Sequence, residues 1–591
     1  MPKKRSAGTA RCAAGGWLLD ACAAADLGIQ AVTTQSHPPI LRQQGVKVSA
    51  MDNQRLILLL VFGFSVLMLW QAWQREHAPQ PPTQVGAPGI SKEVGKAVSA
   101  GPSVSAPESA PAPVAGETVR VQTDLLSAEF NTMGASLQRL ELLKHKDAVD
   151  ATRNFVLLGQ EHSYYAQSGL IGEGLPNHRS VWRLIPGERE LPAGADKIEV
   201  RFVGQAPNGV TVEKRYVFHR DSYVVDVQFE VANHGTQPVS SHAYFQLVRD
   251  DKPPAGESTM RKSFTGAVLY TTEKAFQKLD FADIDKGKTD YVKQAADGWI
   301  GMAQHYFVSV WLPPQNTPRE YYVKKLKDNE YSSGVILALP VVAPGASGAV
   351  GSALYVGPQE QQRLKAAAPG LDLVVDFGWL TIIAWPLLRV LEFFHQWTGN
   401  WGVAIILLTV AIKAAFFPLS AASYKSMAKM KLVSPRLNKI RETYGHDRQK
   451  MNQAMMDLYK TEKINPLGGC FPIVVQIPVF IALYWVLLAA IELRHAPFML
   501  WVKDLSALDP YYVLPVLMSI SMVIQTRMNP KPPDPVQAKV MAFMPYVFSV
   551  FFFFFPSGLV LYWLVNNVLS ILQQWQIQRM FERDRPARAK R

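Results

Sequence analysis

The sequence predicts an α-helical polytopic membrane protein, an N-terminal anchor helix plus a five-helix core, with a large all-β domain between the two. Three observations lead there. Apolar runs of membrane length crowd the last third of the chain and recur once near its start. Between these regions, stretches from residue 198 to 356 alternate apolar and polar with the period of two that marks half-buried strands. Finally, one lysine, Lys413, sits inside the apolar run Trp401–Ser420, WGVAIILLTVAIKAAFFPLS.

The chain has 591 residues, 48% of them hydrophobic, with a formal net charge of +13. That length implies two or three domains. The basic residues gather beside apolar runs, which is the pattern of membrane topology signals rather than of a specific nucleic-acid site. The cysteines are Cys12, Cys22 and Cys470, so no disulfide framework is legible, and no Cys/His cluster has the spacing of a metal site. No cofactor is expected.

Residues 1–50 are an atypical extension: MPKKR opens like a signal, but Asp20 and Asp26 interrupt any apolar region. Met51 begins MDNQRLILLLVFGFSVLMLWQAWQRE, a complete membrane start, and is the expected initiator. Without residues 1–50 the net charge falls from +13 to +9, since six Lys/Arg and two Asp leave. The anchor span is placed at 51–75, uncleaved, with Trp70 and Trp73 at the interface. A Pro/Ala/Ser linker follows at 76–118.

The β domain is expected over 119–370 as an antiparallel sandwich. Its strands include Ile198–Val203, Val210–Phe218 after the turn Pro207–Asn208–Gly209, the alternation Tyr223–Val231, Ala243–Val248, Gly334–Leu339 and Ala349–Val356. It carries no GxSxG, HExxH, P-loop or GxGxxG pattern, and Asp226 and Glu230 read as solvated strand faces.

Residues 371–398 read as an amphipathic helix lying along the membrane, because only Thr398–Asn400 separate them from the Lys413 span at 399–420. The segment 421–467 holds ten Lys/Arg against four Asp/Glu over 421–463 and reads as a Met-rich hairpin of two helices joined at Gly445. Further spans are placed at 468–491, 511–528, 541–555 and 559–577, separated by loops at 492–510 and 529–540 and by the turn Pro556–Ser557–Gly558. A basic tail closes the chain at 578–591. The positive-inside rule then puts both termini, the hairpin and the tail in the cytoplasm, and the β domain outside.

A lysine at the bilayer centre costs about 2.5–3.5 kcal/mol on insertion scales, so it faces protein or water. Two readings of Lys413 stay open from spacing alone. It snorkels to the interface near Pro418, or it faces a wet site together with Thr409 one turn earlier.

At this point the chain resembles the YidC membrane protein insertases of Gram-negative bacteria. The resemblance rests on NPLGGCFPIVVQIPVFIALYWVL (465–487), ELRHAPFMLWVKDLSALDPYYVLPVLM (492–518), FPSGLVLYWLVNN (555–567), SYKSMAKMKLVSPRL (423–437) and the start MDNQR…WQAW. It covers about 51–585. It implies a periplasmic β-supersandwich and a five-helix insertase core around a hydrophilic groove open to cytoplasm and lipid. Lys413 stands where the family has an arginine: the charge is kept and the planar five-donor fork is lost. Trp563 stands where relatives have tyrosine.

The expected function is therefore insertion and chaperoning of nascent inner-membrane proteins, alone or with the Sec translocon, without enzymatic chemistry. The resemblance assigns the substrate groove to Lys413, Thr409, Gln476, Asn566, Tyr562 and Trp563, and the apolar slide to Phe480, Tyr484 and Phe551. The partners implied are nascent membrane proteins, the ribosome through the basic hairpin and tail, the Sec translocon and lipid. Two alternatives are a secondary transporter binding an anionic solute at Lys413 and a membrane-anchored carbohydrate-binding protein. No inverted repeat supports the first, and no catalytic constellation supports the second.

Overall fold

Wherever the two-residue period is sustained, the chain forms sheet. The computed structural model describes residues 116–254, 263–327, 329–375, 377–462, 464, 471–529 and 535–583. The expected extension, anchor span and most of the linker, the motif residues 465–470, and the end of the tail lie outside the described residues.

Two nine-stranded antiparallel sheets face each other. The first runs, in spatial order, Thr118–Gln122, Leu126–Asn131, Ser136–Lys146, Tyr165–Ile171, Val239–Asp250, Glu330–Val342, Arg319–Lys325 and Gln294–Ala295, with Asn154–Leu158 also paired to Ser136–Lys146. The second runs Ala275–Asp280, Gly266–Thr271, Trp299–Gln304, Phe307–Leu312, Ser347–Pro358, Val224–Asn233, Val210–His219, Lys197–Ala206 and Arg183–Leu184. Every strand expected from alternation is present, each a little longer than its apolar signal. The parity is kept: Val225, Val227, Phe229 and Val231 point inward against Phe245 of the other sheet. The outward Asp226 and Glu230 pair across strands with His219 at 2.8 Å and Arg215 at 3.1 Å. Half-exposed pairs of this kind add little stability.

One inward position breaks the apolar rule. Lys214, on Val210–His219, is fully buried. Its ammonium donates to the carbonyls of Gly134, Ala135 and Ser168 at 3.0–3.1 Å, and the rings of Trp182, Tyr216 and Phe229 surround it at 5.3–5.7 Å. The side chain therefore ties the second sheet to the first. Arg319 does the same at the sandwich edge, donating to the carbonyls of Ala296, Gly298, Pro314 and Thr317. The sequence places no cysteine in this domain, so these carbonyl-solvated cations supply the cross-links a disulfide would otherwise make.

Short helices α1 (Phe281–Asp285) and α2 (Gln361–Ala367) decorate the sandwich. After it come α3 (Thr381–Thr398), α4 (Trp401–Ala415), α5 (Phe417–Tyr444), α6 (Arg448–Thr461), α7 (Phe471–Ala489), α8 (Val513–Met528), α9 (Pro535–Phe552) and α10 (Ser557–Arg583). α3 buries Ala384, Leu388 and Leu391 and exposes Ile382, Phe393 and Trp397, so apolar side chains stand on both its faces. It begins ten residues later than expected, because Leu371–Val374 and Gly378–Leu380 form 3₁₀ turns. α5 and α6 make the basic hairpin, closed by Val433, Leu437 and Ile464 and capped by Asp447, whose carboxylate accepts from the N–H groups of Gln449 and Lys450.

The Lys413 run is not one straight span. Pro418 has no N–H to donate to Ala414, and the chain bends by 66° between α4 and α5 at Phe416. Among the described residues no single helix is long and apolar enough to cross a membrane, while this bent pair is; Val475–Ala489, Val513–Met528 and Ala538–Phe552 are shorter apolar helices. α9 starts earlier than the expected 541, and α10 continues to Arg583, taking up the first residues expected in the tail.

Two stability predictions follow from the buried groups. Lys214→Met keeps the stem but takes a buried donor from the carbonyls of Gly134, Ala135 and Ser168, of which Ala135 keeps the Tyr216 hydroxyl, and should cost roughly 3 kcal/mol, read as faster amide exchange along Tyr165–Ile171 and Val210–His219. His178 is buried with its ring bonded to the Tyr244 hydroxyl. Burial first, then the charges of Arg179, Lys214 and Lys324, push its pKa down to about 4. Its contribution is present above the usual histidine pKa near 6.5 and is lost as pH falls towards 4, a loss of about 3 kcal/mol. Exchange rates of the sandwich should rise over that window in the native protein, and the rise should be smaller in His178→Gln.

Candidate functional site

The site is built on α4. Asn400 caps its start, the side-chain oxygen accepting from the Val403 N–H, while the amide nitrogen of Asn400 donates to the Phe498 carbonyl at 2.8 Å. One face of α4 is buried, carrying Ile405, Leu408, Thr409, Ile412 and Lys413. Lys413 is 6% exposed, and its ammonium donates to the Ser570 hydroxyl on α10 at 2.7 Å. That hydroxyl donates onward to the Asn566 carbonyl at 2.7 Å, so Ser570 receives the ammonium with its lone pairs. Among the described residues no carboxylate pairs with Lys413. The ammonium is thus turned inward to a hydroxyl on α10.

Beside it, Gln476 on α7 donates to the side-chain oxygen of Asn566 at 2.9 Å, joining α7 to α10. Thr409 is buried on the same face, but its hydroxyl donates back to the Ile405 carbonyl at 2.7 Å. It offers lone pairs, not a proton. The four polar residues expected in the groove thus share one neighbourhood. Ser570, which contacts the charge directly, was missed by sequence reasoning; its spacing of four from Asn566 is the signal that could have found it.

The aromatic residues form a second patch. Phe480 lies 4.5 Å from Trp563 and 6.2 Å from Tyr562 between ring centroids, and Tyr484 lies 6.2 Å from Phe555. Phe552, 5.3 Å from Trp563, completes it. Phe551 stands outside the patch, 51% exposed; its neighbour Phe552 occupies the inward position.

A cavity of about 410 Å³ opens between α4 and α10, lined by Val410, Lys413, Ala414, Phe417, Leu569 and Gln573. The opposite end of the helices is closed by the 492–510 loop. Ser557 donates from its backbone to Ala507 and from its hydroxyl to Asp504, both at 2.7 Å, and Gly558 N–H donates to Leu505 at 2.9 Å. Gly402 lets Phe498 pack on α4, since a Cβ there would meet the ring at 2.0 Å. Asp509 receives Trp501 Nε1–H at 3.0 Å and the Leu514 N–H at 2.7 Å. Among the described residues no cluster of His, Cys, Asp and Glu could hold a metal.

Comparison with known proteins bears on the family of the chain. A family model described as the YidC periplasmic domain matches residues 118–390, and one described as the 60Kd inner membrane protein matches residues 393–584. The membrane protein insertase YidC of Nitrosospira multiformis is 53% identical over 556 residues, covering 90% of this chain and 98% of its own. The protein of that name from Thiobacillus denitrificans is 50% identical, covering 91% of this chain and 100% of its own. A crystal structure of an active YidC insertase with the first transmembrane domain resolved is 18% identical, covers 78% of this chain and 92% of its own, and gives a TM-score of 0.36. With matches running through both the sandwich and the helices, the chain belongs to the YidC family of membrane protein insertases.

Proposed function

We propose that this protein inserts nascent membrane proteins by receiving a polar, acidic tail at Lys413 while the attached apolar segment moves into lipid. The supporting observation is the buried ammonium of Lys413, held by a hydroxyl rather than a carboxylate, on the wall of an open cavity. A charge so placed has attraction to spare for an incoming carboxylate. Free crossing of a tail fails because its charges and backbone groups must leave water. The groove lowers that cost with Lys413 for charge and with Gln476, Asn566 and the Thr409 lone pairs for hydrogen bonds. The apolar segment passes the patch of Phe480, Tyr484 and Trp563, and its burial at about 25 cal/mol per Å² drives the transfer. No bond is made or broken, and no nucleotide or metal is needed.

In this reading the bent pair α4–α5 and the helices α7 to α10 lie in the inner membrane with the anchor span. The hairpin α5–α6 and the basic tail face the cytoplasm and meet the ribosome, and the sandwich stands in the periplasm. The exposed Ile382, Phe393 and Trp397 of α3 rest on the outer leaflet. The Sec translocon is a further partner in this reading. The short apolar helices imply a locally thinned bilayer, which shortens the path of the tail.

Lys413→Ala should reduce insertion of an acidic-tailed substrate about tenfold, the worth of a charge-assisted hydrogen bond, and leave an uncharged-tailed one nearly unchanged. Lys413→Arg should retain activity on both. The check is protease protection of each tail in inverted vesicles, and equal loss on both tails would remove the electrostatic step.

A further inference from the structure

The cavity between α4 and α10 has a second polar group that the insertion reading leaves unused. Gln573 lies on α10 seven residues beyond Asn566 and three beyond Ser570, on the cavity wall with Lys413. Its side-chain oxygen is buried and has no hydrogen-bond partner among the described residues. The side-chain oxygen of the neighbouring Gln574 is likewise buried without a partner among the described residues, but Gln574 does not line the cavity, and its amide nitrogen donates to Asn529 at 3.1 Å at the end of α8. A buried acceptor left unmade costs about 1–3 kcal/mol, so an arriving donor is favoured there.

The chemistry of the wall narrows what that donor is. Val410, Ala414, Phe417 and Leu569 offer no side-chain hydrogen bonds. Lys413 supplies donors only, and among the described residues one N–H is taken, by Ser570, and two remain. An extended polypeptide entering here brings carboxylates and carbonyls that suit Lys413, but also backbone N–H groups that an ammonium can only repel. The Gln573 oxygen is the complementary acceptor.

We propose that this cavity is a two-ended site for an extended segment of substrate, in which Lys413 takes a carboxylate and the side-chain carbonyl of Gln573 takes a backbone N–H. The assignment rests on the insertase reading and divides its labour. Lys413 discriminates by charge, whereas Gln573 acts on any sequence because every residue but proline carries the N–H. Ser570 is a positioning residue: by holding one Lys413 N–H it aims the other two into the cavity.

The test uses the full-length protein in proteoliposomes with two stalled substrates, one acidic-tailed and one uncharged. Gln573→Met, close in volume and lacking the acceptor, should slow insertion of both tails by the same factor, about three- to tenfold. Ser570→Ala should slow the acidic tail alone, with recovery in Ser570→Thr. As a fold-independent reading, Gln573→Cys should form disulfides with single cysteines along either tail. If Gln573→Met inserts both tails at the native rate while Lys413→Ala still fails on the acidic one, the Gln573 assignment is overturned and the insertase reading survives. If Gln573→Met impairs only the acidic tail, Gln573 serves the charge rather than the backbone and the two-ended site is likewise wrong. If neither Gln573→Cys nor Thr409→Cys captures either tail, the groove reading itself fails.

Discussion

Everything in the helical core is arranged around one ammonium group that has been taken out of water without being neutralised. Lys413 is buried, and its bond is to the Ser570 hydroxyl. A carboxylate in that place would satisfy the charge and end its usefulness, because the pair would attract little else. A hydroxyl backed by the Asn566 carbonyl stabilises the cation enough to keep it folded inward and leaves most of its field directed at the cavity. The bend after Lys413 serves the same end. Pro418 stops α4 one turn past the charge, so the cavity at Phe417 stays open rather than being filled by a continuing helix.

The sandwich solves a related problem in the opposite sense. Lys214 and Arg319 are also buried cations, but backbone carbonyls surround them completely. These charges are spent on cohesion between sheets and loops. The contrast is between carbonyl-saturated cations that hold the fold and a cation bound, among the described residues, by a single hydroxyl, which is the one the proposed function uses. The sandwich also meets the core directly, with Arg494 of the 492–510 loop against the rings of Phe155 and Phe307 at 5.2 and 5.5 Å.

Much of this was legible in the sequence, for definable reasons. Strands such as Val210–His219 declare themselves because burial alternates with a fixed period, and Lys413 declares itself because one charge stands in twenty apolar residues. Lys214 was hidden by the same alternation, since a lysine between the inward Val212 and Tyr216 reads as a lapse in pattern rather than as a cross-link. Ser570 and Gln573 carry no signal by type; only their spacing from Asn566 on a helix known to face α4 gives them meaning. Across Phe551–Phe555 five identical rings follow one another while α9 ends at Phe552 and the chain turns, so choosing the inward rings needs the packing, and the packing selects Phe552 and Phe555. The bend at Phe416 had its cause in view at Pro418, but its 66° angle depends on how α5 leaves to form the hairpin.

The central claim is that nascent chains touch the face of α4 and α10 that carries the ammonium. The direct measurement places single cysteines along 400–420 and 559–575 in an otherwise cysteine-free protein and tests each against a ribosome-stalled membrane substrate carrying one cysteine. The account predicts crosslinks at the positions of Thr409, Lys413 and Trp563 with a helical period, and none at exposed positions outside the cavity lining such as Leu572. Crosslinks spread evenly around both helices, or absent from this face while the protein is folded and the substrate is stalled, would contradict it.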